Sequence, residues 1–101
     1  MSVRIENKGD VIFAYISGEL DHHSAADIRR QLDKAILETM PKECIIDYSG
    51  LTFMDSSGIG LIMGRINTVS EYGGKLTVTG ASGYIERVIK IAGLSKYLGG
   101  K

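Results

Sequence analysis

Asp55, Ser56 and Ser57 stand with Gly58, Gly60 and Gly64 inside the run "LTFMDSSGIGLIMGRI", residues 51–66. Short oxygen-bearing side chains directly ahead of an apolar segment fit a helix start, where any of the three could accept a bond from an orphan backbone N–H. The same position has a second chemistry. A serine in the first helical turn is exposed near the positive end of the macrodipole, where phosphate is tolerated. Phosphorylation there adds roughly −1.5 to −2 charge beside Asp55, enough to repel a partner fitted to a neutral hydroxyl without unfolding the chain. Capping does not explain the glycines, because each glycine within a helix costs about 0.5 to 1 kcal/mol relative to alanine. Gly60 and Gly64 are four apart, so they lie on one face and admit close approach of another backbone, internal or external. Spacing alone favours internal packing.

Other chemistries fit less well. A nucleophile elbow requires glycine two residues before and two after the serine, and neither Ser56 nor Ser57 has both. Asp21, His22 and His23 offer a base or metal ligands, but adjacent side chains point in different directions and no third ligand with suitable spacing follows. A solvated loop, with His23 and Asp27 paired across one helical turn, is the expectation there. Gly58-Ile59-Gly60 lacks the lysine of a P-loop and the spacing of a dinucleotide fingerprint. Cys44 is the only cysteine and sits among apolar neighbours, so it reads as a buried thiol and no intrachain disulfide can form.

The elements that position these residues follow from periodicity. Val3 and Ile5 alternate with Arg4 and Glu6, Asn7-Lys8-Gly9-Asp10 supplies a turn, and residues 11–16 form a second strand. Residues 18–23 read as a polar loop, and Ser24 with Asp27 resembles a capping box, which predicts a helix from about Ser24. Ile28, Leu32, Ala35 and Ile36 form its apolar stripe, with Arg29, Arg30, Asp33 and Lys34 on the other face, and Pro41 ends it. Residues 44–48 are short, apolar and β-prone, which suits a strand covered on both faces. A second helix follows, with Ile59, Ile62, Ile66 and Val69 facing the core, and it stops near Gly73-Gly74. Residues 75–79 alternate as a strand, and Ile85, Val88, Ile89 and Ala92 make a third helical stripe ending at Gly93. The order β-β-α-β-α-β-α predicts an α/β fold, a mixed sheet with a large parallel portion and amphipathic helices packed against it.

Length and charge narrow the class. The 101 residues, 44% hydrophobic, suit one domain. Twelve basic and twelve acidic residues give formal charge zero with no long run of one sign, which argues against nucleic acid or an anionic membrane surface as partner. No apolar stretch approaches the roughly 20 residues needed to span a bilayer, and the first residues lack a secretory h-region, so the cytoplasm is the expected address.

"GELDHHSA" at residues 18–25 and "FMDSSGIGLIMGR" at 53–65, taken with this element order, resemble the anti-sigma factor antagonists, single STAS domains, and most closely their sporulation branch. The resemblance covers roughly residues 2–95. It implies a non-enzymatic regulator without cofactor or metal. It also implies a serine kinase that is itself the anti-sigma factor, that binds the antagonist in its ATP- or ADP-bound state, and that phosphorylates Ser56. The unphosphorylated antagonist would capture that kinase and free the sigma factor, and a PP2C-type phosphatase would reverse the mark. Asp21, His22, Asp55, Ser57, Gly58, Gly60 and Gly64 are the partner contacts the resemblance implies, on a monomer that meets a kinase dimer. A stress or other signalling circuit is the alternative, and a small hydrolase using Ser56 or Ser57 with His22 or His23 a remote one. Members of that family continue through a further strand and a terminal helix, so after Leu98 the last elements are expected to be absent or abbreviated.

Overall fold

The computed structural model describes residues 2–99. Strands β1 (Ser2–Lys8), β2 (Val11–Leu20), β3 (Glu43–Met54) and β4 (Lys75–Thr79) alternate with helices α1 (His22–Thr39), α2 (Ser56–Ser70) and α3 (Gly83–Ile91), and a short 3-10 turn covers Ser95–Tyr97. The sheet order is β1-β2-β3-β4. β1 and β2 form an antiparallel hairpin, while β3 runs parallel to both β2 and β4. The mixed α/β sheet and the order of its elements match the expectation from sequence.

One face of the sheet is the core. Ile12, Ala14, Ile16, Leu20, Cys44, Ile46, Tyr48, Leu76 and Val78 point to it, and Ile28, Leu32, Ile36, Leu61, Ile62, Val69, Ile85 and Ile89 come down from the helices. Alternation along the strands puts Val11, Phe13, Tyr15, Glu43, Ile45 and Asp47 on the opposite face, where all are only half-buried. Residues 44–48 are therefore not covered on both faces as expected. Arg4 and Lys8 of β1 lie over the Tyr15 and Phe13 rings instead, which partly covers these two rings without a helix.

Several boundaries shift for physical reasons. β1 continues through Lys8, because Gly9 at φ 65° closes a tight turn that pairs Lys8 with Val11. The expected loop at residues 18–23 does not exist as such. Gly18, Glu19 and Leu20 pair with β3, with register irregularities on either side of Gly18, itself at φ 88°. β3 is correspondingly longer than residues 44–48, since its pairing with β2 extends to Leu20 opposite Met54. His22 and His23 are the first residues of α1. In α1, Ile28, Leu32 and Ile36 are buried and Ala35 half-buried. Asp33 is not on the solvent face: it reaches Arg65 of α2, Nε to Oδ1 2.9 Å. The stripe of α2 is rotated from the expected one, with Leu61, Ile62, Arg65 and Val69 buried and Ile59 and Ile66 half-buried. Burial pushes the Cys44 thiol up to about 12, consistent with an inert structural cysteine. In α3, Ile85 and Ile89 are buried, while Ala92 caps the end and is exposed. Beyond the 3-10 turn, Leu98 makes a parallel bridge to Val78 and the Gly99 amide donates to the Val78 carbonyl at 2.8 Å.

β2, β3 and β4 run parallel, so the three helices that follow them all start at the same edge of the sheet. In open α/β sheets, that edge is where binding sites form.

Candidate functional site

Two aspartates open the first two helices at this edge. Asp21 is the N-cap of α1: its carboxylate accepts the Ser24 amide at 2.9 Å, and the Asp21 amide donates to Ser24 Oγ at 3.1 Å. The capping box therefore pairs Asp21 with Ser24, and the expected start at Ser24 with Asp27 is corrected by one turn. Asp27 is engaged elsewhere, accepting from Arg30 at 3.1 Å and Gln31 at 2.9 Å, so the expected His23–Asp27 pair is not made. The Ser24 backbone and side-chain donors hold the Asp21 carboxyl below its ordinary range, helped by the nearby His23.

Asp55 is the N-cap of α2, accepting the Ser57 amide at 2.8 Å. This settles which of the three candidate residues caps. Ser56 is the first helical residue and is exposed, while Ser57 is half-buried. The Asp55 amide donates to the Leu20 carbonyl at 3.2 Å, which fixes the two helix starts beside each other. Between α1 and α2 runs a groove of about 490 Å³, lined by His22, Ala25, Ala26 and Arg29 on one side and Ser57, Gly60 and Leu61 on the other. The fold thus brings His22, Ser57 and Gly60 to one groove with Asp21 and Asp55 at its end. Among the described residues no hydrogen bond joins either histidine to Ser56 or Ser57, and no group of His, Cys, Asp and Glu is arranged to hold a metal ion.

The glycines separate into two kinds. Gly58 is buried, and a side chain there would run into Met54 Cγ and Sδ and approach Leu20 Cδ2 at 3.3 Å. Its lack of a side chain serves internal packing, so it does not belong on an exposed contact surface. At Gly60 and Gly64 an added methyl would meet nothing within 4 Å. The internal packing expected from their spacing is absent. Gly60 is exposed and Gly64 half-buried, and Gly60 continues with Met63, 50% exposed, the helical line that begins at Ser56.

Sequence reasoning missed several residues that shape this region. Arg65 is 5% exposed, and the Asp33 carboxylate it meets is the ionic tie between α1 and α2. Burial lowers the Arg65 pKa and Asp33 opposes that shift. The Tyr48 hydroxyl donates to the Gly58 carbonyl at 3.0 Å, and the Met54 amide donates to the Tyr84 hydroxyl at 2.8 Å. Arg29 lines the groove. Phe53 and Met63 are large, exposed and apolar beside the motif, and Met63's place off the Ile59-Ile62-Ile66-Val69 stripe was the one signal available for it.

A mixed four-stranded sheet with helix starts at one edge and an aspartate-capped serine motif defines a class, and the comparisons agree with it. Residues 2–100 match the family model described as STAS domain. An anti-sigma F factor antagonist from Paenibacillus polymyxa is 33% identical over 98 residues, covering 97% of this chain and 84% of that protein. An anti-sigma-B factor antagonist from Listeria monocytogenes is 30% identical over 101 residues, covering 94% and 85%. The solved structure of the anti-sigma factor antagonist SpoIIAA in its unphosphorylated form superposes with TM-score 0.89 at 28% identity, covering 97% of this chain and 86% of that one. The phosphorylated form of the Bacillus SpoIIAA superposes with TM-score 0.81, covering 97% and 89%. The chain belongs to the STAS domain family and, within it, to the anti-sigma factor antagonists that resemble SpoIIAA.

Proposed function

We propose that this chain is a partner-switching antagonist whose state is written on Ser56. In the unphosphorylated form it binds an anti-sigma factor that is also a serine kinase, in the ATP- or ADP-bound state, and so releases a sigma factor. The kinase phosphorylates Ser56 and the complex separates; a PP2C-type phosphatase restores the hydroxyl. The observation that carries this reading is the exposed Ser56 hydroxyl at the first position of α2, behind an aspartate cap and beside the groove. A phosphoryl group there is favoured by the α2 dipole, so the fold survives the modification, while the added charge next to Asp55 opposes a partner shaped for a neutral hydroxyl. Asp21, His22, Asp55, Ser57, Gly60 and Gly64 form the contact surface, and Gly58 acts from beneath by letting Met54 pack under the turn.

The chain works as a cytoplasmic monomer in this scheme and catalyses nothing itself. Similarity to a sigma-F antagonist favours a sporulation circuit, and similarity to a sigma-B antagonist supports a stress circuit as the second reading. The test is to incubate the chain with the anti-sigma factor of the same organism and Mg-ATP and to map phosphate by mass spectrometry. Phosphate on Ser56 alone is expected; phosphate elsewhere, with Ser56 unmodified, overturns the assignment.

A further inference from the structure

The backbone that presents Ser56 is fastened on both sides by tyrosine hydroxyls. Leu20 and Met54 pair at the ends of β2 and β3, and the Asp55 amide turns toward β2 to reach the Leu20 carbonyl. The amide of the preceding residue, Met54, therefore points the other way, to the side where β4 lies. β4 pairs with β3 only from Glu43 to Asp47, so at Met54 no strand is left to accept that N–H. The Tyr84 hydroxyl, from the first turn of α3, takes the place of the missing strand at 2.8 Å. At the far end of the motif, Tyr48 rises from the core face of β3 and donates its hydroxyl to the Gly58 carbonyl at 3.0 Å. Tyr48 is fully buried, and burial keeps its phenol protonated far beyond neutral pH, so this donor is permanent. Tyr48 is buried, so loss of its hydroxyl leaves the Gly58 carbonyl without its partner in the interior, whereas Tyr84 is 40% exposed and its hydroxyl acts by fixing where the Met54 amide points. Met54 itself, buried against Gly58, joins the two anchor points through its side chain.

We infer that the Tyr48 and Tyr84 hydroxyls are positioning groups, holding the Met54–Gly58 backbone in the conformation that offers Ser56 to a phosphoryl-transferring partner. The inference rests on the reading of Ser56 given above. Neither tyrosine hydroxyl bonds to the Ser56 side chain; each acts through the backbone on one side of it. Removing one anchor lets the turn sample other conformations, which lowers the fraction of bound complexes with the serine oxygen in line for transfer while leaving the contact surface in place.

The experiment uses Tyr48→Phe and Tyr84→Phe, which keep each ring and delete only the oxygen. Tyr72→Phe is the matched control, since the Tyr72 hydroxyl donates to the Pro41 carbonyl at 2.8 Å near the C-terminal end of α2, away from the motif. With the anti-sigma factor of the same organism and Mg-ATP, each site variant is expected to lose about tenfold in kcat for Ser56 phosphorylation with little change in KM, and Tyr72→Phe to retain the parent kcat. Amide hydrogen exchange on the free chain is expected to quicken about tenfold at Ser57 and Gly58 in the site variants and to stay at the parent rate there in Tyr72→Phe. Parent kcat and parent exchange in both site variants overturn the inference, as does an equal loss in Tyr72→Phe, which would mark a general loss of stability. If the parent chain itself is not modified at Ser56, the functional reading fails, and the exchange rates still decide whether the hydroxyls hold the turn.

Discussion

The amide of Asp55 donates to the carbonyl of Leu20 at 3.2 Å, so the turn that carries the serine motif is bonded to the last residue of the neighbouring strand. The next residue after Leu20 is Asp21, the cap of α1. Two aspartate-capped helix starts, distant in sequence, are thereby joined through one backbone hydrogen bond. This is why "GELD" and "DSSG" read as a pair: the first ends the strand whose carbonyl anchors the second. The start of α1 therefore lies beside the helix start that carries Ser56.

A charge at residue 56 is expected to separate binding from folding. The α2 N-terminus favours a negative group, so Ser56→Asp is expected to melt within about 3 °C of the parent while binding the anti-sigma factor about tenfold or more weakly. Ser56→Ala is expected to bind as the parent does and to resist release on addition of Mg-ATP. Calorimetric titration of the three chains decides it; equal affinities for the two variants contradict the electrostatic account.

Acid acts on the start of α1 through Asp21. The Ser24 amide and hydroxyl hold this carboxyl below its ordinary value of 3.8, so the unfolded chain binds the proton more readily than the folded one. The stabilisation from its charge is fully present above the unfolded value and is lost as pH falls through the folded one. Asn caps helices nearly as well but does not titrate. The urea midpoint of the parent is therefore expected to exceed that of Asp21→Asn at pH 6 and to lose that advantage below pH 3.8. A difference that stays constant down to strong acid would show that the charge of Asp21 contributes nothing to folding.

The contact of Arg65 with Asp33 has an unequal dependence on its two partners. Nε and Oδ1 are 2.9 Å apart, yet the N–H is not aimed at the oxygen, and buried Arg65 Nε and Nη1 make no hydrogen bond. Charge holds the pair, and Asp33, 34% exposed, is partly screened by solvent. Asp33→Ala leaves a buried cation alone and is expected to cost about 1 to 3 kcal/mol. Arg65→Met places an apolar chain in the same space and is expected to cost less than about 1 kcal/mol. Urea unfolding of both variants tests the order; Arg65→Met as the more damaging change would mean that the guanidinium does more than neutralise Asp33.

The element order, the apolar stripe of α1 and the serine motif were legible because each depends on neighbours in sequence. Where the reading failed, the deciding contact came from elsewhere in the chain. Both Asp21 and Ser24 are good caps, and the choice between them depended on β2 reaching Leu20, which depends on pairing with Met54 of β3. Arg65 carried no sign of burial in the sequence, and only the approach of Asp33 on another helix makes its burial tolerable. Tyr48 and Tyr84 carried no signal beyond β propensity and a helix start, since the carbonyl and amide they engage are brought to them by the tertiary fold. The internal packing expected for Gly60 and Gly64 fails for the same reason. Spacing four places two residues on one face of a helix but does not say which way that face points.

That last error makes the glycines a discriminating test. Gly60 occupies helix interior with open space around it, so Gly60→Ala is expected to stabilise the fold by about 0.5 to 1 kcal/mol through backbone entropy alone. Gly58→Ala forces a methyl against buried Met54 and is expected to destabilise by about 1 to 3 kcal/mol. Two glycines in one turn of one motif thus respond with opposite signs to the same substitution. If Gly60 is kept bare for a partner, Gly60→Leu folds well and binds the anti-sigma factor about tenfold or more weakly, because the wedge stands where another surface must lie. Urea unfolding and titration on the same samples separate the two effects. A Gly60→Leu chain that is both stable and fully competent in binding would place the partner on some other face of α2.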